Sequence, residues 1–162
     1  FAGEETLHYE TRFEGIRIIG LDTLLDGRIE GRLDAAQLEW LAERLSDQSE
    51  ELTLLLMHHP AFPSGILPLD RMALVEGRAA FAELVKSCQV PLRILSGHIH
   101  RPFQCLWHGA FCAVGGGPSF QHRLDLRPDA PEPGPVAEPY AWYIHRLEGA
   151  HTVTVHSRYV AL

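Results

Sequence analysis

The chain has 162 residues, 46% of them apolar and 22% charged, and a net charge of −7. That length supports one domain with a real core, and the composition fits a water-soluble globular protein. The acidic balance argues against a nucleic-acid polymer or an anionic membrane as partner, and no apolar run approaches the roughly 20 residues that span a bilayer. No signal peptide is visible, so a cytoplasmic location is expected.

In chain order, Leu7 to Phe13 alternates apolar and polar residues, as a half-buried strand does. Gly15 marks a turn, and Ile16 to Thr23 reads as a second strand ending in polar residues. Asp34 is an expected N-cap, with Gln37 three residues on completing a capping box. The helix behind it, Ala35 to Ser46, places Leu38, Leu41 and Leu45 on one face with Trp40 beside them. Leu52 to Met57 is an apolar strand ending in His58-His59-Pro60. After a Pro-containing loop, Asp70 is expected to cap a helix over Arg71 to Ser87, with Gly77 its weak point.

A further apolar run, Val90 to Leu95, reads as a buried strand and closes in Ser96-Gly97-His98-Ile99-His100-Arg101. His108-Gly109 is a two-residue hairpin turn that sets Cys105 opposite Cys112 on adjacent strands. These two read as small buried residues, because three cysteines make no disulfide framework. Gly115-Gly116-Gly117-Pro118 reads as a flexible turn, since no helix start or Lys follows to make it a phosphate cradle. Pro128 to Pro139 holds five Pro and is irregular. Ala141 to Leu147 and Thr152 to Tyr159 form a closing hairpin around Glu148-Gly149-Ala150. Strands alternating with helices before a β-rich end indicate an α/β fold with mixed sheets.

Two strands that both end in histidine suggest a metal site at the carboxyl edge of a sheet, where open α/β folds place their ligands. His98 and His100 are spaced i, i+2. On an extended segment that spacing points both rings to one side, where they can serve one metal or two adjacent ones. His8, His108, His145, His151 and His156 read as surface or strand-face residues.

Gly20-Leu21-Asp22-Thr23, Gln37 to Leu41, Met57-His58-His59-Pro60 and Gly97 to Arg101 occur in that order. Together they resemble the calcineurin-like metallophosphoesterase superfamily, and within it the class III cyclic nucleotide phosphodiesterases and related glycerophosphodiesterases. The match runs from Gly15 to Gly117 and more weakly to the C-terminus. The resemblance implies half of an αββα sandwich with mixed sheets and a C-terminal β-hairpin. Residues 1–127 would be the C-terminal half of the domain, 128–139 a Pro-rich irregular segment, and 140–162 the closing hairpin.

By the same resemblance, His58 and His98 match ligands of one metal and His100 a ligand of the other. His59 would line the pocket without ligating. Asp22 would turn or cap the loop after its strand. Gln121 and His122 fall where relatives place substrate-facing or supporting groups. The family's Asp-x-His, Gly-Asp-x-x-Asp and Gly-Asn-His motifs do not occur, and the chain contains no Asn. The chain therefore reads as the C-terminal half of a longer enzyme, with the catalytic residues expected in an N-terminal half.

The expected activity of the parent is hydrolysis of small phosphodiesters, cyclic nucleotides or glycerophosphodiesters. Two divalent metals (Mn, Fe or Zn) about 3.5–4 Å apart activate water and clamp the attacking and leaving oxygens in such sites. This chain alone should hold at most one ion, weakly, and show little or no activity. Its expected partners are the diester and its own N-terminal half, with a homodimer or aggregation if that half is absent. Alternatives are a phosphomonoesterase or nucleotide pyrophosphatase of the same superfamily, or a non-catalytic metal-binding or assembly fragment.

Overall fold

A computed structural model describes residues 7–46 and 51–160. Its centre is a six-stranded mixed sheet built from β1 (Tyr9–Phe13), β2 (Ile16–Leu21), β4 (Leu52–Met57), β6 (Leu92–Ser96), β7 (Phe103–Trp107) and β8 (Ala110–Val114). The spatial order is β1-β2-β4-β6-β8-β7, with β2, β4, β6 and β8 parallel and the two edge strands antiparallel to their neighbours. The crossovers carry α1 (Ala35–Leu45) between β2 and β4, and α3 (Arg78–Ser87) between β4 and β6. Right-handed crossovers progressing in one direction put both helices on the same face. Leu41 and Leu45 of α1 and Phe81 and Val85 of α3 accordingly share one buried cluster with Ile19, Leu55, Met57, Ile94 and Cys112 of the sheet.

The capping box forms as expected. Asp34 accepts from the Gln37 N–H at 2.9 Å, and Gln37 Oε1 accepts from the Asp34 N–H at 3.0 Å. Gln37 is itself buried, and its Nε2 donates to the Asp22 carbonyl at 2.6 Å, so the start of α1 also holds the loop that leaves β2. Asp22 caps that loop, its Oδ1 accepting from the Leu24 N–H at 2.9 Å.

The helix expected over Arg71 to Ser87 is interrupted. A single turn, α2 (Leu67–Asp70), precedes a short strand, β5 (Leu74–Glu76), which pairs in parallel with β3 (Gly31–Arg32). The long helix α3 starts only after Gly77, whose φ of +75° places it in the left-handed region. Two forces break the helix. The Asp70 carboxylate is drawn back to the Ser64 N–H (2.8 Å), the Ser64 hydroxyl (2.6 Å) and the Gly65 N–H (3.1 Å), so it caps no helix that follows. Leu74 is fully buried in the core, and the pairing with β3 competes with helix. A Cβ on Gly77 would collide with the Leu33 carbonyl oxygen, which leaves glycine as the residue that fits this corner.

The sheet face opposite the helices is half open. Central parallel strands are normally covered on both sides. Yet Ile18, Leu54, Leu56 and Leu95, which alternate with core residues along β2, β4 and β6, are only half-buried. At the edge, β1 is more exposed than the alternation predicts, with Tyr9 49% and Phe13 64% accessible. The hairpin β11 (Tyr140–Glu148) and β12 (Thr152–Val160) forms as expected, as a separate two-stranded ribbon. It lies over the β6–β8 part of the open face. The His145 ring contacts Phe111 at 6.3 Å between centroids, and Arg93 donates to the His151 carbonyl at 3.3 Å. Within Pro128 to Pro139 the one regular piece is β10 (Pro135–Val136), paired with β9 (Gln121–His122).

The His108-Gly109 turn forms with both residues at positive φ, and Cys105 and Cys112 stand opposite each other as free thiols.

Candidate metal centre

β4 and β6 are parallel neighbours, so the residues just past their carboxyl ends are adjacent. The Gly97 N–H donates to the His58 carbonyl at 3.0 Å and extends that contact beyond the strands. His58, His59 and His98 converge there, with one ring nitrogen of each lying within 4.8 Å of the others. Their ring centroids are 4.9 Å (His58–His59), 5.1 Å (His58–His98) and 4.3 Å (His59–His98) apart.

Each ring has a distinct environment. His59 is buried and fully engaged. Its Nε2 faces the Ile29 carbonyl at 3.1 Å, which can only accept, so Nε2 carries the proton. Nδ1 then accepts from the Thr23 hydroxyl at 2.8 Å. The same hydroxyl oxygen accepts from the His59 backbone N–H at 3.3 Å. Burial, then the neighbouring His98 and His58, push the His59 pKa down to about 4. The ring lies directly against Gly31 of β3, where any Cβ would collide with it.

His98 donates from Nε2 to the Met72 carbonyl at 2.8 Å, which leaves Nδ1 with its lone pair. Burial also lowers its pKa. His58 is solvent-exposed, and among the described residues no hydrogen bond engages its ring.

His100 does not extend the row. The expectation of two rings pointing the same way from an extended segment is corrected by the backbone. His98 (φ 65°) and His100 (φ 48°) both occupy the left-handed region. Ile99 between them is buried and its N–H closes a tight turn onto the Gly97 carbonyl at 2.7 Å. Burying Ile99 in the core coils the segment, so the i, i+2 spacing does not set the two rings in an extended row. His100 packs against Phe120, centroids 4.5 Å apart, with His122 at 6.1 Å. Burial lowers its pKa as well. Two non-glycine residues at positive φ in one turn store backbone strain of order 1–3 kcal/mol each, which tertiary packing has to offset.

His122 donates from Nδ1 to the Pro133 carbonyl at 2.8 Å, which leaves its Nε2 lone pair open. Gln121, expected as a substrate-facing or supporting group, is 1% exposed. It accepts from the Gly117 N–H at 3.2 Å and donates to the Gly117 carbonyl at 2.7 Å. Thr23, Ile29 and Met72 support the histidines, and the sequence offered no signal for the two carbonyls, which any residue type supplies.

The donor set suits a divalent transition ion. With pKa values held below the ordinary 6.5, His98 and His100 are neutral at pH 7. A His98 ring whose far N–H is tied to a backbone carbonyl is the arrangement that fixes the tautomer of metal-binding histidines. The Nδ1 of His100 is buried without a hydrogen bond. His59, with both nitrogens engaged, supports the cluster and holds no lone pair free.

Helices on one face of a mixed sheet, with three histidines converging at the carboxyl ends of its parallel strands, define an α/β protein with a candidate metal site. No protein-family model matches the chain. It is 34% identical over 159 residues to a probable glycerophosphodiester phosphodiesterase, GpdQ, of Arcobacter nitrofigilis, covering 97% of this chain and 58% of the relative. It is 42% identical over 115 residues to a cAMP/cGMP dual specificity phosphodiesterase of Mycobacterium tuberculosis, covering 70% of this chain and 35% of that one. It is also 38% identical over 93 residues to the 3',5'-cyclic adenosine monophosphate phosphodiesterase CpdA of Escherichia coli K12, covering 57% and 34% respectively. Among solved structures, a dimetal phosphatase from Danio rerio shares the fold, with a TM-score of 0.56 at 18% identity over 70% of this chain and 50% of that one. The chain is thus similar to the C-terminal part of bacterial glycerophosphodiester and cyclic nucleotide phosphodiesterases, and it shares the fold of the dimetal phosphatase. It spans between a third and three-fifths of the length of the relatives it matches.

Proposed function

We propose that this chain is the C-terminal part of a binuclear metal-dependent phosphodiesterase of the cytoplasm, acting on small diesters such as cyclic nucleotides or glycerophosphodiesters. The observation that carries the reading is the convergence of His58, His59 and His98 within 4.8 Å at the carboxyl ends of two adjacent parallel strands, in a chain whose relatives are named as phosphodiesterases. His58 and His98 hold one ion through their open ring nitrogens, and His100 contributes to a second. When bound, such ions supply Lewis acidity at the phosphorus and a nucleophile at neutral pH. His59 fixes the cluster by bridging Thr23 and Ile29. His122, with an open Nε2 beside His100, faces the substrate.

The remaining ligands come from the N-terminal half, which packs on the open sheet face. The half-buried Ile18, Leu54, Leu56 and Leu95 support that placement, as a contiguous uncovered apolar face is characteristic of a docking surface. The chain alone holds at most one ion weakly and has little or no activity.

The test is metal content and hydrolysis of bis(4-nitrophenyl) phosphate with added Mn²⁺, for this chain and for the longer protein that includes it. The longer protein is expected to carry two ions per molecule and to lose hydrolysis on His98→Ala. A longer protein that holds no metal, or one whose hydrolysis survives His98→Ala, overturns the reading.

A further inference from the structure

His100 sits at a positive φ outside any regular element, so something other than its own backbone preference holds its ring. The supports lie in the glycine run and the strand that follows it. The His122 N–H donates to the His100 carbonyl at 2.7 Å and fixes the backbone. The ring packs closely against Gly117: a Cβ there would collide with His100 Nδ1 and stand 2.6 Å from its Cγ. Gly117 is in turn clamped on both sides of its Cα by one buried amide, with Gln121 Oε1 accepting from its N–H and Gln121 Nε2 donating to its carbonyl. A Cβ on Gly116 would stand 2.7 Å from Gln121 Oε1, so this neighbour too is fitted to the amide. The run that reads as a flexible turn is therefore a packed plate between an amide and an imidazole.

We infer that Gln121 is a positioning residue for the metal centre, acting through Gly117 to hold the His100 ring against its plate. Both side-chain hydrogen bonds of Gln121 go to Gly117, so its effect on His100 is transmitted through the Gly117 backbone. The amide is suited to this because one side chain presents both a donor and an acceptor, which together satisfy the carbonyl and the N–H of one residue. The inference rests on the metal reading of His100 and adds a residue to it.

The experiment is a Zn²⁺ titration of the longer protein that includes this chain, followed separately at the ring resonances of His58, His98 and His100. Gln121→Ala is expected to weaken the apparent affinity read at His100 by about 10- to 100-fold, the range for loss of a group that supports a metal ligand. The affinity read at His58 and His98 is expected to stay unchanged. Gly117→Ala, which displaces the same ring directly, gives the same His100-specific loss. Should Gln121→Ala fail to fold, Gln121→Met fills the volume while removing both hydrogen bonds. An unchanged His100 affinity overturns the inference and leaves the metal reading standing. An equal loss at all three rings also overturns it, because it marks general loosening. No effect of Zn²⁺ on any ring of the unsubstituted longer protein overturns the metal reading and this inference with it.

Discussion

The strongest electrostatic consequence of the site is a loss of stability in mild acid, and it can be followed at His59. Its pKa falls from the ordinary 6.5 to about 4 in the folded chain, first because the ring is buried and then because His98 and His58 stand beside it. The folded ring must stay neutral to keep Nδ1 as an acceptor for the Thr23 hydroxyl. Between pH 6.5 and 4 the unfolded chain binds a proton that the folded chain refuses, so stability falls as pH falls through that window. At about 1.36 kcal/mol per pH unit, the full effect is about 3 kcal/mol, of which about 2 kcal/mol is already lost at pH 5. His98 and His100 are shifted in the same direction, also chiefly by burial, and add to the same slope. The assay is urea unfolding of the metal-free chain at pH 7.5 and pH 5, for the unsubstituted protein and for His59→Gln. The variant should be less stable at pH 7.5, where it loses the Thr23 contact, but should show the smaller drop between the two pH values. Equal drops in both proteins would refute the assignment of the proton to His59.

Three further outcomes are expected. Asp34→Ala removes the side-chain half of the α1 capping box, the bond that Asp34 Oδ1 accepts from the Gln37 N–H; it should cost about 1 kcal/mol and lower Tm by about 2–4 °C in calorimetry. Gly77→Ala forces a Cβ into the left-handed region and against the Leu33 carbonyl. The conformational part alone is about 1–2 kcal/mol, so the total should exceed that of Asp34→Ala, and a smaller shift in urea midpoint would count against the corner geometry. Burial raises the thiol pKa of Cys88, Cys105 and Cys112. All three should react with a disulfide reagent at pH 7.5 far more slowly than the same thiols in urea, since the thiolate is the reactive form.

Much of this protein is determined locally, and those parts can be read from the chain. The apolar runs at Leu52 to Met57 and Val90 to Leu95, each ending in histidine, mark parallel strands and their functional ends because burial and chain direction are encoded in the residues themselves. Asp34 with Gln37, and His108 with Gly109, specify a cap and a hairpin through contacts a few residues apart. The sequence motifs also carry the resemblance to the metallophosphoesterases. Tertiary structure decided the rest. Whether residues 71–77 extend α3 or form β5 depends on Leu74 reaching the core and on a β3 partner more than 40 residues away. The directions of the His98 and His100 rings depend on Ile99 being buried between them, which coils a segment whose spacing alone suggests an extended row. Gln121 is only four residues from Gly117, but the His100 ring that Gly117 supports comes from the end of β6, and the supports of His59 and His98 are backbone carbonyls at Ile29 and Met72. Carbonyls are the same in every residue, so no pattern of side chains announces which of them a fold will bring to a metal centre.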